Sequence, residues 1–220
     1  MGHKCQIPQR RSCKDILIID KVNISGVYNI SNQHNKSFPV FCGFGPEPGA
    51  AWTLIQSHSL KNNGDFRNKA FYLYDMPRNQ DVPEWNNYRL PMSRMKSIQD
   101  VSTHWRATCN FPTDGVDYRD YIRVSLKSLD LLEEPTNVEF CLLTEFVNVR
   151  GHACFNCTVL VAYSPIFSIH MDSYYGPIKG CDFGGGITDE DNFGSYLVQN
   201  PAFRCTSVPS STTQYWLGSF

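Results

Sequence analysis

The chain has 220 residues, 41% of them hydrophobic and 13% aromatic, with a formal net charge of −1. That length and composition suit one large globular domain or two small ones with a substantial core, and they exclude a disordered chain. The balanced charge excludes the basic stripe of a nucleic-acid binder and the polyacidic tract of a charge-driven mineral coat. No apolar run approaches the roughly eighteen residues that a membrane span requires.

Nine cysteines without a matching metal-ligand grammar point to an oxidising compartment and a disulfide-bonded protein. Four glycosylation sequons, at Asn23, Asn29, Asn35 and Asn156, agree with that compartment. The first three fall within thirteen residues, which suggests a glycan-shielded edge. Residues 1–11 are polar and basic around Cys5 and read as a linker. They contain no apolar signal-peptide core, which leaves a cytosolic protein with many thiols or a fragment whose start lies upstream, and the sequons favour the fragment.

Ser12, with Asp15 three positions on, predicts a capped short helix whose apolar side is Ile16, Leu17 and Ile19. Ser25-Gly26 turns the chain into a strand at 27–30. A polar hairpin loop follows, and 38–42 is the return strand. The Gly- and Pro-rich segment 43–51 must be irregular, and 52–56 alternates as a strand. Residues 57–117 carry many turn signals, so this long stretch is expected to be held by bridges or ions. Ile122, Val124 and Leu126 alternate on one strand face, and the apolar runs 138–147 and 158–163 read as central strands. The sum is an α+β domain with a mixed or antiparallel sheet, few short helices and much loop.

Several blocks near the front share their wording with one family. They are Ser12-Cys13-Lys14-Asp15, Ser25-Gly26-Val27-Tyr28-Asn29-Ile30, Phe38-Pro39-Val40-Phe41-Cys42 and Trp52-Thr53-Leu54-Ile55-Gln56. In that order they resemble the fibrinogen C-terminal-like domains. The resemblance implies a fibrinogen-like fold, an extracellular location and a disulfide between Cys13 and Cys42. It divides the chain into a fibrinogen-like subdomain at 12–56 and a divergent remainder of the same domain at 57–220. Gly49-Ala50-Ala51 stands where the family has three glycines, and the family's Phe-Trp-Leu-Gly-x-Glu and Trp-Trp-Tyr blocks are missing. A fibrinogen-like start with a different, cysteine-rich remainder is also similar to secreted fibrinogen-related proteins of cnidarians, including those of the stony-coral skeletal organic matrix. That likeness implies matrix residence and biomineralization, and no reaction.

Candidate sites are few. Asp189, Asp191 and Asn192 follow the triple glycine at 184–186. Oxygen ligands on a flexible loop suit calcium, although a solvated acidic turn would read the same way. His152-Ala-Cys154-Phe-Asn-Cys157 offers a zinc half-site or redox pair, against a plainer reading as structural bridges. Cys181 and Cys205 flank the glycine loop and are expected to pair, and Cys5 is the candidate for an interchain bridge. Cys109, Cys141, Cys154 and Cys157 are left without assigned partners. Trp85, Tyr88, Trp105, Tyr174, Tyr175 and Trp216 would mark a ligand pocket only as an exposed cluster. No nucleophile elbow, zincin motif or phosphate loop occurs, so no enzyme and no resident cofactor are expected. A triad assembled across loops would show only as a preformed Ser–His–acid contact. The expected function is a secreted, non-enzymatic matrix module that binds proteins or glycans, and the alternative is a calcium-dependent lectin.

Overall fold

The computed structural model describes residues 9–186 and 188–220. Their strands form one eleven-stranded sheet in which every paired neighbour runs antiparallel. The strands are β1 Gly26–Ser31, β2 Ser37–Phe44, β3 Ala51–Ser59, β4 Asn87–Arg89, β5 His104–Cys109 and β6 Tyr121–Ser125. They continue as β7 Glu139–Val149, β8 His152–Ser164, β9 Phe167–Asp172, β10 Asp191–Asn192 and β11 Thr212–Ser219. The order across the sheet is β1-β2-β3-β11-β5-β6-β7-β8-β9-β10, with β4 also on β3.

The expected α+β class is overturned. The α-helices are α1 Cys13–Ile19, α2 Met92–Gln99 and α3 Phe111–Asp114, none longer than eight residues. Helices so short cannot form a layer of their own, and the core is built by the sheet. All but the first residue of the apolar run at 138–147 lies within the long hairpin partner β7, and 158–163 lies within β8.

Residues 12–56 and the rest of the chain share one sheet. β11 lies between β3 and β5, pairing Thr212 with Ser59 on one side and Thr213 with Cys109 on the other. All nine residues of β3 and all eight of β11 are buried. Local order in the front segment follows the sequence closely: the Asp15 carboxylate accepts the Ser12 N–H at 3.1 Å and the Arg11 N–H at 2.8 Å. The Cys13 N–H donates to Thr53 Oγ1 at 3.2 Å, and Cys13 is bonded to Cys42, fixing α1 on the sheet.

Segment 57–117 is held by a buried arginine as well as by an expected bridge. Arg89 is 1% exposed and donates to the carbonyls of Lys69, Ala70 and Tyr74 and to Gln56 Oε1. Its guanidinium also lies 4.6 Å over the Phe71 ring. Burial pulls its pKa down to about 10, still charged at neutral pH. The bridge joins Cys109 to Cys205, beyond the segment.

The pairing expected between Cys181 and Cys205 does not occur. The bridges are Cys13–Cys42, Cys109–Cys205, Cys141–Cys181 and Cys154–Cys157. The glycine loop lies by β8 and β9, where β7 presents Cys141 to Cys181. Cys205 belongs to the turn before β11 and meets Cys109 at the end of β5. Cys5 lies outside the described residues.

Candidate functional site

The sequence-flagged loop residues gather at the far end of the sheet, around β7–β10. Register places two cross-strand rows on one face there. Glu139, Ala162 and His170 form the first row, and Cys141, Leu160 and Asp172 the second. The Cys141–Cys181 bridge rises from the second row and pins the segment that follows β9. Between that segment and the strands is a cleft of about 230 Å³, with Leu160 and Ala162 as its floor and Tyr175, His170 and Lys179 around it. This is below the roughly 300–1,000 Å³ of pockets that enclose a drug-sized ligand, so the cleft suits one side chain or one ring.

The triple glycine shapes the cleft wall. A Cβ on Gly186 would lie 2.4 Å from the Tyr174 nitrogen, and one on Gly184 would lie 2.9 Å from the Pro177 ring. Close backbone approach therefore explains these glycines without a phosphate ligand.

Polar groups line the cleft and its back. Asp172 Oδ1 accepts the N–H groups of Tyr174 and Tyr175, each at 2.9 Å. Burial, together with a hydrogen bond to the Asp189 carboxyl, pushes the Asp172 pKa above its ordinary value despite those two amides. His170 Nδ1 donates to the Ser168 carbonyl at 3.2 Å, and its Nε2 lies 3.4 Å from Asp191 Oδ1. Asp191 Oδ2 accepts the amides of Leu197 and Val198. Asn192 is fully buried and donates to the Met171 carbonyl, Ser173 Oγ and the Glu190 carbonyl.

The three proposed calcium ligands thus face different partners: Asp189 meets Asp172, Asp191 meets His170, and Asn192 turns inward. Among the described residues, no group of three or more His, Cys, Asp or Glu side chains is placed to hold a metal ion. Glu190, between them in sequence, is the buried one. It pairs with Arg150 and accepts Asn200 Nδ2 and Thr188 Oγ1, each at 3.1 Å. Burial alone would raise its pKa, but these donors bring it below the usual glutamate value. His170 and Asp172 were not singled out in the sequence. Their signal is the alternation of Phe167–Asp172, which faces them to one side.

The other candidates separate cleanly. Tyr88, Trp105 and Trp216 are core residues, and Tyr174 and Tyr175 are exposed beside the cleft with ring centroids 5.0 Å apart. Trp85 is half-buried against Phe41 and Phe111. Cys154 and Cys157 are bonded to each other. Asn23, Asn29, Asn35 and Asn156 are all exposed, and Asn29 lies on the edge strand β1.

The chain matches no family model and no curated protein. No helix among the described residues is long and apolar enough to cross a membrane.

Proposed function

We propose that the chain is a secreted structural and binding module of an extracellular matrix. Its β7–β10 cleft is presented to protein or glycan partners, and glycans shield the β1 edge. The observation that carries this reading is the pairing of eight of the nine cysteines into four intrachain bridges. Such a set persists in oxidising compartments and is rare in the cytosol. The exposure of all four sequon asparagines supports the same compartment. The likeness of residues 12–56 to secreted fibrinogen-related proteins, some of them from skeletal matrices, supports the matrix assignment.

The cleft suits a binding role because its wall is covalently pinned, so little loop ordering opposes association. An unprotected edge strand invites pairing with another chain, and glycans on Asn23, Asn29 and Asn35 would prevent that.

Expression through the secretory pathway of a eukaryotic cell tests this reading. The expected product is secreted, loses mass on enzymatic deglycosylation, and yields the four stated bridges on non-reducing peptide mapping. Equal folding and stability in a reducing cytosol, with free thiols and no glycan, would remove the basis for it.

A further inference from the structure

A second cluster lies on the other side of β7 from this cleft and was reachable only from the fold. Thr103, immediately before β5, is exposed, and its Oγ1 lies 2.6 Å from His104 Nδ1. His104 Nε2 lies 2.8 Å from Glu145 Oε1, a residue of β7. Arg123 on β6 fixes the carboxylate by donating from Nε to Glu145 Oε2 at 2.9 Å. Arg123 is in turn held by the buried Glu47 at 2.7 Å.

This arrangement sets the imidazole tautomer. A carboxylate only accepts hydrogen bonds, so the proton on neutral His104 sits on Nε2. Nδ1 then carries the lone pair and accepts the Thr103 hydroxyl. A hydroxyl, a base and a carboxylate that orients the base are the three parts of an activated nucleophile, recognised by roles and geometry whatever the sequence order. Here the two ring nitrogens exchange their usual roles. A cleft of about 590 Å³ opens beside the hydroxyl, lined by Ser125, Leu126, Lys127 and Phe220 as well as Thr103 and His104.

We propose that Thr103 and His104 are catalytic residues for slow hydrolysis of small carboxylic esters, with Glu145 as the positioning residue. Leu126 and Phe220 favour a short apolar acyl group, and the exposed Lys127 supplies positive charge for the developing oxyanion. Thr103 Oγ1 attacks the ester carbonyl carbon while its proton passes to His104 Nδ1. The ester C–O bond then breaks, and His104 returns the proton to the departing alcohol. Water, deprotonated by the same nitrogen, releases the acid and restores the hydroxyl. Ester and water become acid and alcohol, and no other reactant is needed. This activity is independent of the matrix-binding reading and adds to it.

The test uses the full chain with p-nitrophenyl acetate and p-nitrophenyl butyrate, with peptide mapping to find the acylated residue. The expected result is turnover above the buffer rate and an acyl group on Thr103. Thr103→Ser retains both, and Thr103→Ala loses about 10²–10⁴-fold, the usual contribution of a positioned base. Glu145→Gln lowers kcat with KM little changed, because the imidazolium formed in the step loses its carboxylate while the cleft stays intact. Circular dichroism melts confirm that each variant is folded. Wild-type turnover by folded Thr103→Ala, or acylation of Lys127 in place of Thr103, would overturn the proposal.

Discussion

The middle of the sheet and its far end use the same residue types for opposite purposes. In the middle, Glu47 is 6% exposed and accepts from Trp52 Nε1, Arg106, Tyr121 Oη and Arg123. At the far end, Asp172 meets another carboxyl, that of Asp189, beside an open cleft. The bridges divide in the same way: Cys109–Cys205 spans 96 positions of sequence, and Cys154–Cys157 spans three. A carboxylate held by four donor groups and a long closed loop make a fixed centre. Like charges and a short closed loop make the far end less costly to change, even with the Cys141–Cys181 bridge pinning its cleft wall, and a binding surface can sit there without loosening the core.

The largest effect should therefore come from the long bridge. Replacing Cys109 and Cys205 together by Ala should cost up to about 4.7 kcal/mol, from the entropy of a loop near 100 residues. Removing Cys154 and Cys157 should cost no more than about 2 kcal/mol by the same relation. Denaturant midpoints of the two double variants measure the difference, and equal losses would break the comparison. Between these two lies Glu47→Gln. It strips the carboxylate from two guanidiniums, one fully buried, and should cost about 3 kcal/mol, the lower end for a broken buried pair. That corresponds to a fall of about 6–12 °C in Tm for a domain of this size. The matching change at the far end, Asp189→Asn, should leave Tm unchanged or slightly higher, because it removes a like-charge contact.

What was legible in the sequence follows from the same division. The front segment could be read because its order is local. Ser12 and Asp15 cap a helix within four residues, and the first hairpin pairs Ile30 with Phe38 across a short turn. The α+β class failed because the decisive pairing is non-local: β11 reaches its place between β3 and β5 from the end of the chain, and no period-2 pattern states its neighbours. Arg89 was invisible for a related reason. An arginine in a loop-rich stretch reads as a surface charge until the fold brings three carbonyls around it. The aspartates at 189 and 191 were legible as a cluster, but only the coordinates show Asp172 and His170 arriving from β9 to separate them. The misassigned partners of Cys181 and Cys205 have the same cause, since flanking a glycine loop in sequence does not place two residues on neighbouring strands.

The smallest predicted effect probes the far end directly. Asp172 binds its proton more tightly in the folded state than in the unfolded chain, because burial and the Asp189 carboxyl raise its pKa. The stabilisation this provides is complete below the ordinary carboxylate value of about 4 and is lost as pH rises through the raised folded value. Asp172→Asn keeps an oxygen for the Tyr174 and Tyr175 amides but cannot ionise. The variant should gain on the wild type as pH rises from about 4 toward neutrality, by less than about 1 kcal/mol because Asp172 is only half-buried beside an open cleft. Glu190 works in the opposite sense, its lowered pKa giving stability that disappears on acidification, but it is common to both proteins and cancels in the comparison. Paired melts of wild type and Asp172→Asn across this range therefore isolate one carboxyl. A Tm difference that does not change with pH would show that Asp172 is as firmly fixed as Glu47, and the contrast between the two ends of the sheet would fail at its most sensitive point.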